Sequence, residues 1–111
     1  PLDPHTAHLF RAGAARANYL AMDRADLSWS AKELCRRMAE PRREDLDRLR
    51  RLARYLVDAP RLVCWLPVQA QGQPLRVCAD TDFAGCPHTR RSTSGGVCLR
   101  GTHPIKRWSR T

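Results

Sequence analysis

Asp80-Thr81-Asp82-Phe83-Ala84-Gly85 closes the apolar run that begins at Leu75, and Arg90-Arg-Ser-Thr-Ser-Gly-Gly96 and Ile105-Lys-Arg-Trp-Ser109 follow it. A carboxylate pair at the end of a strand-like run, a turn-rich loop and two further strand-like segments describe an antiparallel arrangement. Residues two apart on a strand share a face, so Asp80 and Asp82 point the same way if the strand reaches that far. Clustered hard oxygen ligands hold Mg²⁺ for two-metal phosphodiester hydrolysis, although one or two aspartates do not make such a site alone. Aspartate near Gly85 and Pro87 also builds turns. The residues by themselves favour the turn for Asp82 and leave Asp80 open between the two roles.

Working outward, Leu75–Asp80, Gly95–Arg100 and Pro104–Ser109 read as strands, with Gly101-Thr-His103 as a hairpin turn. Leu62-Val-Cys-Trp-Leu66 reads as a further strand, with Trp65 in the core, and Gln69 to Pro74 as a polar turn. Before Pro60 the period changes to 3.6. Asp3-Pro4 opens a helix whose apolar positions are Phe10, Ala14, Ala17 and Ala21. A second helix is expected from Asp26, with Leu27, Ala31, Leu34 and Met38 inward and Pro41 at its end. A third is expected from Arg43 to Val57, with Leu46, Leu49, Ala53 and Leu56 inward and Glu44 and Asp45 set against the dipole. The class is therefore α+β, with a helical part over residues 1–59 and a β part over 60–111.

The chain has 111 residues, 42% of them hydrophobic, and a mean hydropathy of -0.55, which permits a folded core and argues against wholesale disorder. No apolar stretch approaches the ~20 residues that span a bilayer, so no membrane partner is expected. The first residue is Pro1 rather than methionine, and no leader pattern opens the chain, so an excerpt of something longer is expected. A net charge of +9, carried mostly by arginine, makes nucleic acid the leading partner; an acidic protein or an anionic surface would also attract it. The five cysteines are an odd set without Cys-x-x-Cys spacing, which fits thiols in a reducing compartment better than a disulfide scaffold. Cys86-Pro-His88 offers half a zinc site and no second half. His5, His8, His88 and His103 lack metal spacing, and Ser30, Ser92 and Ser109 lack a His/Asp arrangement for nucleophilic catalysis.

Two basic stretches are candidates for phosphate contact. Arg43, Arg50 and Arg54 fall on one stripe of the third helix with Arg51 beside it, and such a face can follow a nucleic-acid backbone. Arg90, Arg91 and Ser92 can donate to phosphate oxygens, and Gly95-Gly96 lets a backbone approach. The plainer readings are a solvated helix face and a solvated turn. Trp29, Trp65 and Trp108 could stack on bases, but core or half-buried positions are expected for them.

Taken in order, these segments resemble the Pol polyprotein of Copia-type LTR retrotransposons, where the pattern runs roughly Asp-Ala-Asp-Trp-Ala-Gly, Arg-Lys-Ser-Thr-Ser-Gly, Trp-Ser. Tyr19-Leu-Ala-Met-Asp-Arg-Ala-Asp-Leu27 looks like the family's Tyr-Leu-x-x-x-Arg-Pro-Asp-Ile, and Arg54-Tyr-Leu56 is similar to its Leu-Arg-Tyr-Leu helix. The chain departs from the pattern at Ala25 (for proline), Phe83 (for tryptophan) and Gly96 (where an aromatic is common). The resemblance implies that residues 1–59 are a thumb or connection segment following a reverse transcriptase palm. It implies that 60–111 are the first strands of a truncated ribonuclease H-like domain, with Asp80 as its catalytic, metal-binding aspartate and Asp82 a further candidate ligand for Mg²⁺. The implied partners are an RNA:DNA hybrid or primer–template and the remainder of the Pol polyprotein, in the cytoplasm or nucleus. The family's second acid lies on a helix after the third strand, past Thr111 here, so this stretch alone is not expected to cleave RNA. The rival expectation is a catalytically inactive, basic nucleic-acid-binding relic or domesticated module.

Overall fold

The computed structural model describes residues 1–87 and 89–110 and divides the chain into two compact units, Pro1–Val63 and Cys64–Thr111. Helices make up the first and an antiparallel sheet the second, so the class is α+β.

Helix α1 spans Pro4–Leu20. The Asp3 carboxylate caps it by accepting from the Thr6 N–H at 3.0 Å, the Thr6 side chain and then that N–H hold the carboxyl below its ordinary pKa, and Pro4 supplies a pre-set φ in the first turn. Its inner face is Ala7, Phe10, Ala14 and Ala17, mostly small residues that let neighbouring backbones come close. Gly13 marks the closest approach: a Cβ there would lie 2.7 Å from Leu49 Cδ2.

The second helix does not open at Asp26. A 3₁₀ turn covers Ala25–Leu27 and α2 runs only over Ser28–Cys35. The Asp26 carboxylate is engaged elsewhere, accepting from Arg24 Nε and Nη2 at 3.1 and 2.7 Å and from the Tyr55 hydroxyl at 2.8 Å. Turns and bends occupy Arg36 to Glu40, where the Met38 and Ala39 carbonyls accept from the Arg11 guanidinium at 2.7 and 3.3 Å.

Helix α3 spans Arg43–Asp58, one residue beyond the expected end. Its inward stripe is Asp45, Leu49, Leu52 and Leu56, so Leu52 replaces Ala53, which is exposed. Asp45 takes the first inward position of that stripe. It is 1% exposed, accepts from the Arg42 N–H at 3.0 Å and from Arg48 Nη1 at 3.1 Å, and so satisfies an orphan donor at the helix start. The core of this unit is Phe10, Ala14, Ala17, Leu27, Ala31, Leu34 and Leu52. The larger of these side chains contribute ~2 kcal/mol each through burial.

In the second unit β1 (Leu75–Thr81), β2 (Ser94–Arg100) and β3 (His103–Arg110) form an antiparallel sheet in the order β1-β2-β3. Gly101 takes a φ of 59° in the two-residue β2–β3 turn, which explains a glycine there. The register shifts between Cys98 and Leu99, pairing Cys98 with Lys106 and Leu99 with Pro104 and leaving Ile105 as an extra residue. No described residue of this unit is fully buried.

Leu62–Leu66 is not a strand, and Trp65 is 86% exposed rather than in the core. Pro60 and Pro67 bracket the stretch and remove N–H donors at its ends, and none of its residues pairs with β1, β2 or β3. Pro67 and Gln69, just past it, are held instead by the β2–β3 turn. Gln69 Oε1 accepts from the Thr102 N–H at 2.8 Å, Gln69 Nε2 donates to the Arg100 carbonyl at 3.1 Å, and His103 Nε2 lies 2.6 Å from the Pro67 carbonyl.

Candidate functional site

The strand that carries Asp80 forms because Leu75 to Thr81 pairs residue for residue with Arg100 to Ser94. Asp80 is the next-to-last residue of β1 and stands opposite Gly95, so no side chain on the neighbouring strand covers it. It is exposed, and among the described residues its carboxylate makes no hydrogen bond or ion pair.

Asp82 lies just past the end of β1, and its carboxylate is engaged. Its N–H donates to the Thr93 carbonyl at 3.0 Å, and its Oδ1 accepts from the Thr93 N–H. Ser92 is engaged too, its Oγ accepting from the Ala84 N–H at 3.1 Å. Arg90 and Arg91 are exposed in the same connection, Arg90 with a φ of 54°. The structure thus places Asp80, Asp82, Arg90, Arg91 and Ser92 at one end of the sheet unit.

Arg43, Arg50, Arg51 and Arg54 are all exposed on α3. Arg50 Nη1 pairs with Asp47 at 3.1 Å, whereas Arg43, Arg51 and Arg54 have no ion pair among the described residues. Leaving these guanidiniums unpaired on one helix costs self-repulsion, and a polyanion would relieve it.

Thr93 reads in the sequence as one hydroxyl of the Arg90–Ser94 loop, and what is missed there is its peptide group, whose N–H and carbonyl both serve Asp82. A backbone partner leaves no side-chain signature, so nothing in the sequence marks it. Asp45 reads in the sequence only as a charge against the helix dipole, and its position three residues after Arg42 is the available signal for an inward cap.

Among the described residues no three His, Cys, Asp or Glu side chains converge on a point where a metal ion could sit. Asp80 with an already engaged Asp82 does not amount to a Mg²⁺ site. The described cysteines form no disulfide with one another, and burial pushes the pKa of Cys35 up. Pairing of Cys86 with His88 falls outside the described residues. No described helix is long and apolar enough to cross a membrane.

Curated relatives match the chain over nearly its whole length. It is 34% identical over 100 residues, 90% of the chain, to "Uncharacterized mitochondrial protein AtMg00810" of Arabidopsis thaliana, of which the match covers 41%. It is 33% and 32% identical, each over 100 residues, to the "Retrovirus-related Pol polyprotein" from transposons RE1 and RE2 of the same plant, covering 7% of each polyprotein. No family model matches the chain, and no solved structure matches it. Similarity across 90% of the chain takes in the helical signature, the Asp80 motif and the Arg-Arg-Ser-Thr-Ser loop together, and the chain belongs to the Copia-type, retrovirus-related Pol polyproteins, matching one short segment of them.

Proposed function

We propose that this chain is the stretch of a Pol polyprotein that leads from the reverse transcriptase into its ribonuclease H-like domain. In this reading Pro1–Val63 belongs to the thumb or connection and Cys64–Thr111 supplies the opening strands of the ribonuclease. Its parent copies element RNA into DNA and hydrolyses the RNA strand of the resulting hybrid. The observation that carries the reading is Asp80: an exposed carboxylate without a partner among the described residues, at the end of a first strand, with only Gly95 across from it. A group meant to hold a metal must be left open in this way. Its role is to contribute one hard oxygen ligand, and the other acids of the constellation have to come from elsewhere in the polyprotein.

The test uses the polyprotein that contains this stretch. Asp80→Asn is expected to lower cleavage of the RNA strand in an RNA:DNA hybrid by at least ~10³-fold while hybrid binding stays within a few fold. Unchanged cleavage would remove Asp80 from the chemistry.

The unpaired Arg43, Arg51 and Arg54 favour a second reading, a basic module that binds nucleic acid without catalysis. There, Asp80→Asn changes nothing, and binding follows the arginines.

A further inference from the structure

The connection between β1 and β2 is cross-tied along its length. Asp82 and Thr93 exchange two contacts, the Ala84 N–H reaches Ser92 Oγ, and the Cys86 N–H reaches the Arg91 carbonyl at 3.2 Å. The Arg90 N–H turns back to the Cys86 carbonyl at 2.8 Å. Ala84 and Arg90 both hold positive φ, 51° and 54°, a conformation that residues with a Cβ rarely keep without support.

Ser92 Oγ and the Cys86 carbonyl hold those two residues, and the two oxygens of Asp82 brace the mouth of the same connection. Oδ1 accepts the Thr93 N–H, and Oδ2 lies against Gly85 so closely that a Cβ there would overlap it. Both oxygens are thereby turned to the loop they brace. Asp80, two residues earlier, has no such partner among the described residues.

We propose that Asp82 is a positioning residue and not a metal ligand: its carboxylate clasps Thr93 across the loop mouth, closes the turn over Gly85, and so sets the direction of Arg90 and Arg91. The second aspartate of the motif fixes the loop, and the first is left for the metal. The contrast with Asp80 rests on the ribonuclease reading above; the clasp itself does not.

The deciding property is that the clasp needs an acceptor oxygen and not a charge, so asparagine preserves it and alanine does not. Amide hydrogen exchange at Thr93, read residue by residue in the full 111-residue chain, is the first measurement. Thr93 is expected to be protected in the wild type and equally in Asp80→Asn. Asp82→Asn keeps that protection within about threefold, and Asp82→Ala loses at least about tenfold. An unprotected Thr93 in the wild type, unchanged protection in Asp82→Ala, or equal loss in the Asn and Ala variants each overturns the clasp.

The second measurement is hybrid cleavage by the whole polyprotein, where Asp82→Asn keeps activity within about tenfold and Asp80→Asn does not. Loss in Asp82→Asn as deep as in Asp80→Asn, with Thr93 still protected, would make Asp82 a ligand after all. A wild-type polyprotein that never cleaves hybrid overturns the ribonuclease reading instead, and the exchange data alone then decide the clasp.

Discussion

Gly96 on β2 sits directly beneath the indole ring of Trp108 on β3, its cross-strand partner. A Cβ at Gly96 would overlap the ring and come within 2.7 Å of the Cys78 carbonyl oxygen. The space over Gly96 is thus filled by a side chain from the neighbouring strand. Gly96→Ala should destabilise the sheet unit by ~1–3 kcal/mol, since neither the ring nor the backbone can retreat freely. Trp108→Ala in the same chain should recover part of that loss. Urea titrations of the two single variants and the double variant form the cycle; additive effects would mean that the two residues do not share the space.

Stability at acid pH should depend on Asp26. The Arg24 guanidinium, and after it the Tyr55 hydroxyl, hold its carboxyl at about 2 against an ordinary value of 3.8. The folded chain therefore binds fewer protons than the unfolded one between those values. The contribution is fully present above pH ~4 and fades as the pH falls toward 2. Asp26→Asn should lower the melting temperature near neutrality, and its difference from the wild type should shrink steadily from pH 4 to pH 2. A gap that stays constant across that range would disprove the linkage.

Binding of RNA:DNA hybrid by this chain should be dominated by counterion release. Replacing Arg43, Arg51 or Arg54 by alanine should weaken binding similarly for any sequence and flatten the log Kd against log salt slope by about one unit per residue. Arg50→Ala should do less, because Arg50 is already paired with Asp47. Fluorescence anisotropy at several salt concentrations measures both effects, and slopes unchanged from the wild type in all four variants would rule out the α3 face.

Where local chemistry decides an element, the sequence is a sufficient guide. Asp3-Pro4 starts α1, the leucine spacing sets most of α3, and Gly101 marks the hairpin turn. It misleads wherever a distant partner takes over. Asp26 looks like a cap, but Arg24 and Tyr55 claim its carboxylate, and Tyr55 is remote in sequence. Leu62–Leu66 has the composition of a strand but pairs with none, and Trp65 is exposed. At the site, Asp80 is legible as the end of an apolar run. The clasp on Thr93 is not, because its partner is a peptide group rather than a side chain.

The extra residue at Ile105 gives the sheet a direction. On β3 the bulge and the neighbouring Lys106, Arg107 and Arg110 interrupt the outer row of peptide groups, which makes that border a poor template for another strand. The β1 border is regular over all seven of its pairs with β2, and its outer row of peptide groups is vacant among the described residues. Growth of the sheet is therefore one-sided: any strand that joins it is steered to β1, beside the Asp80 carboxylate.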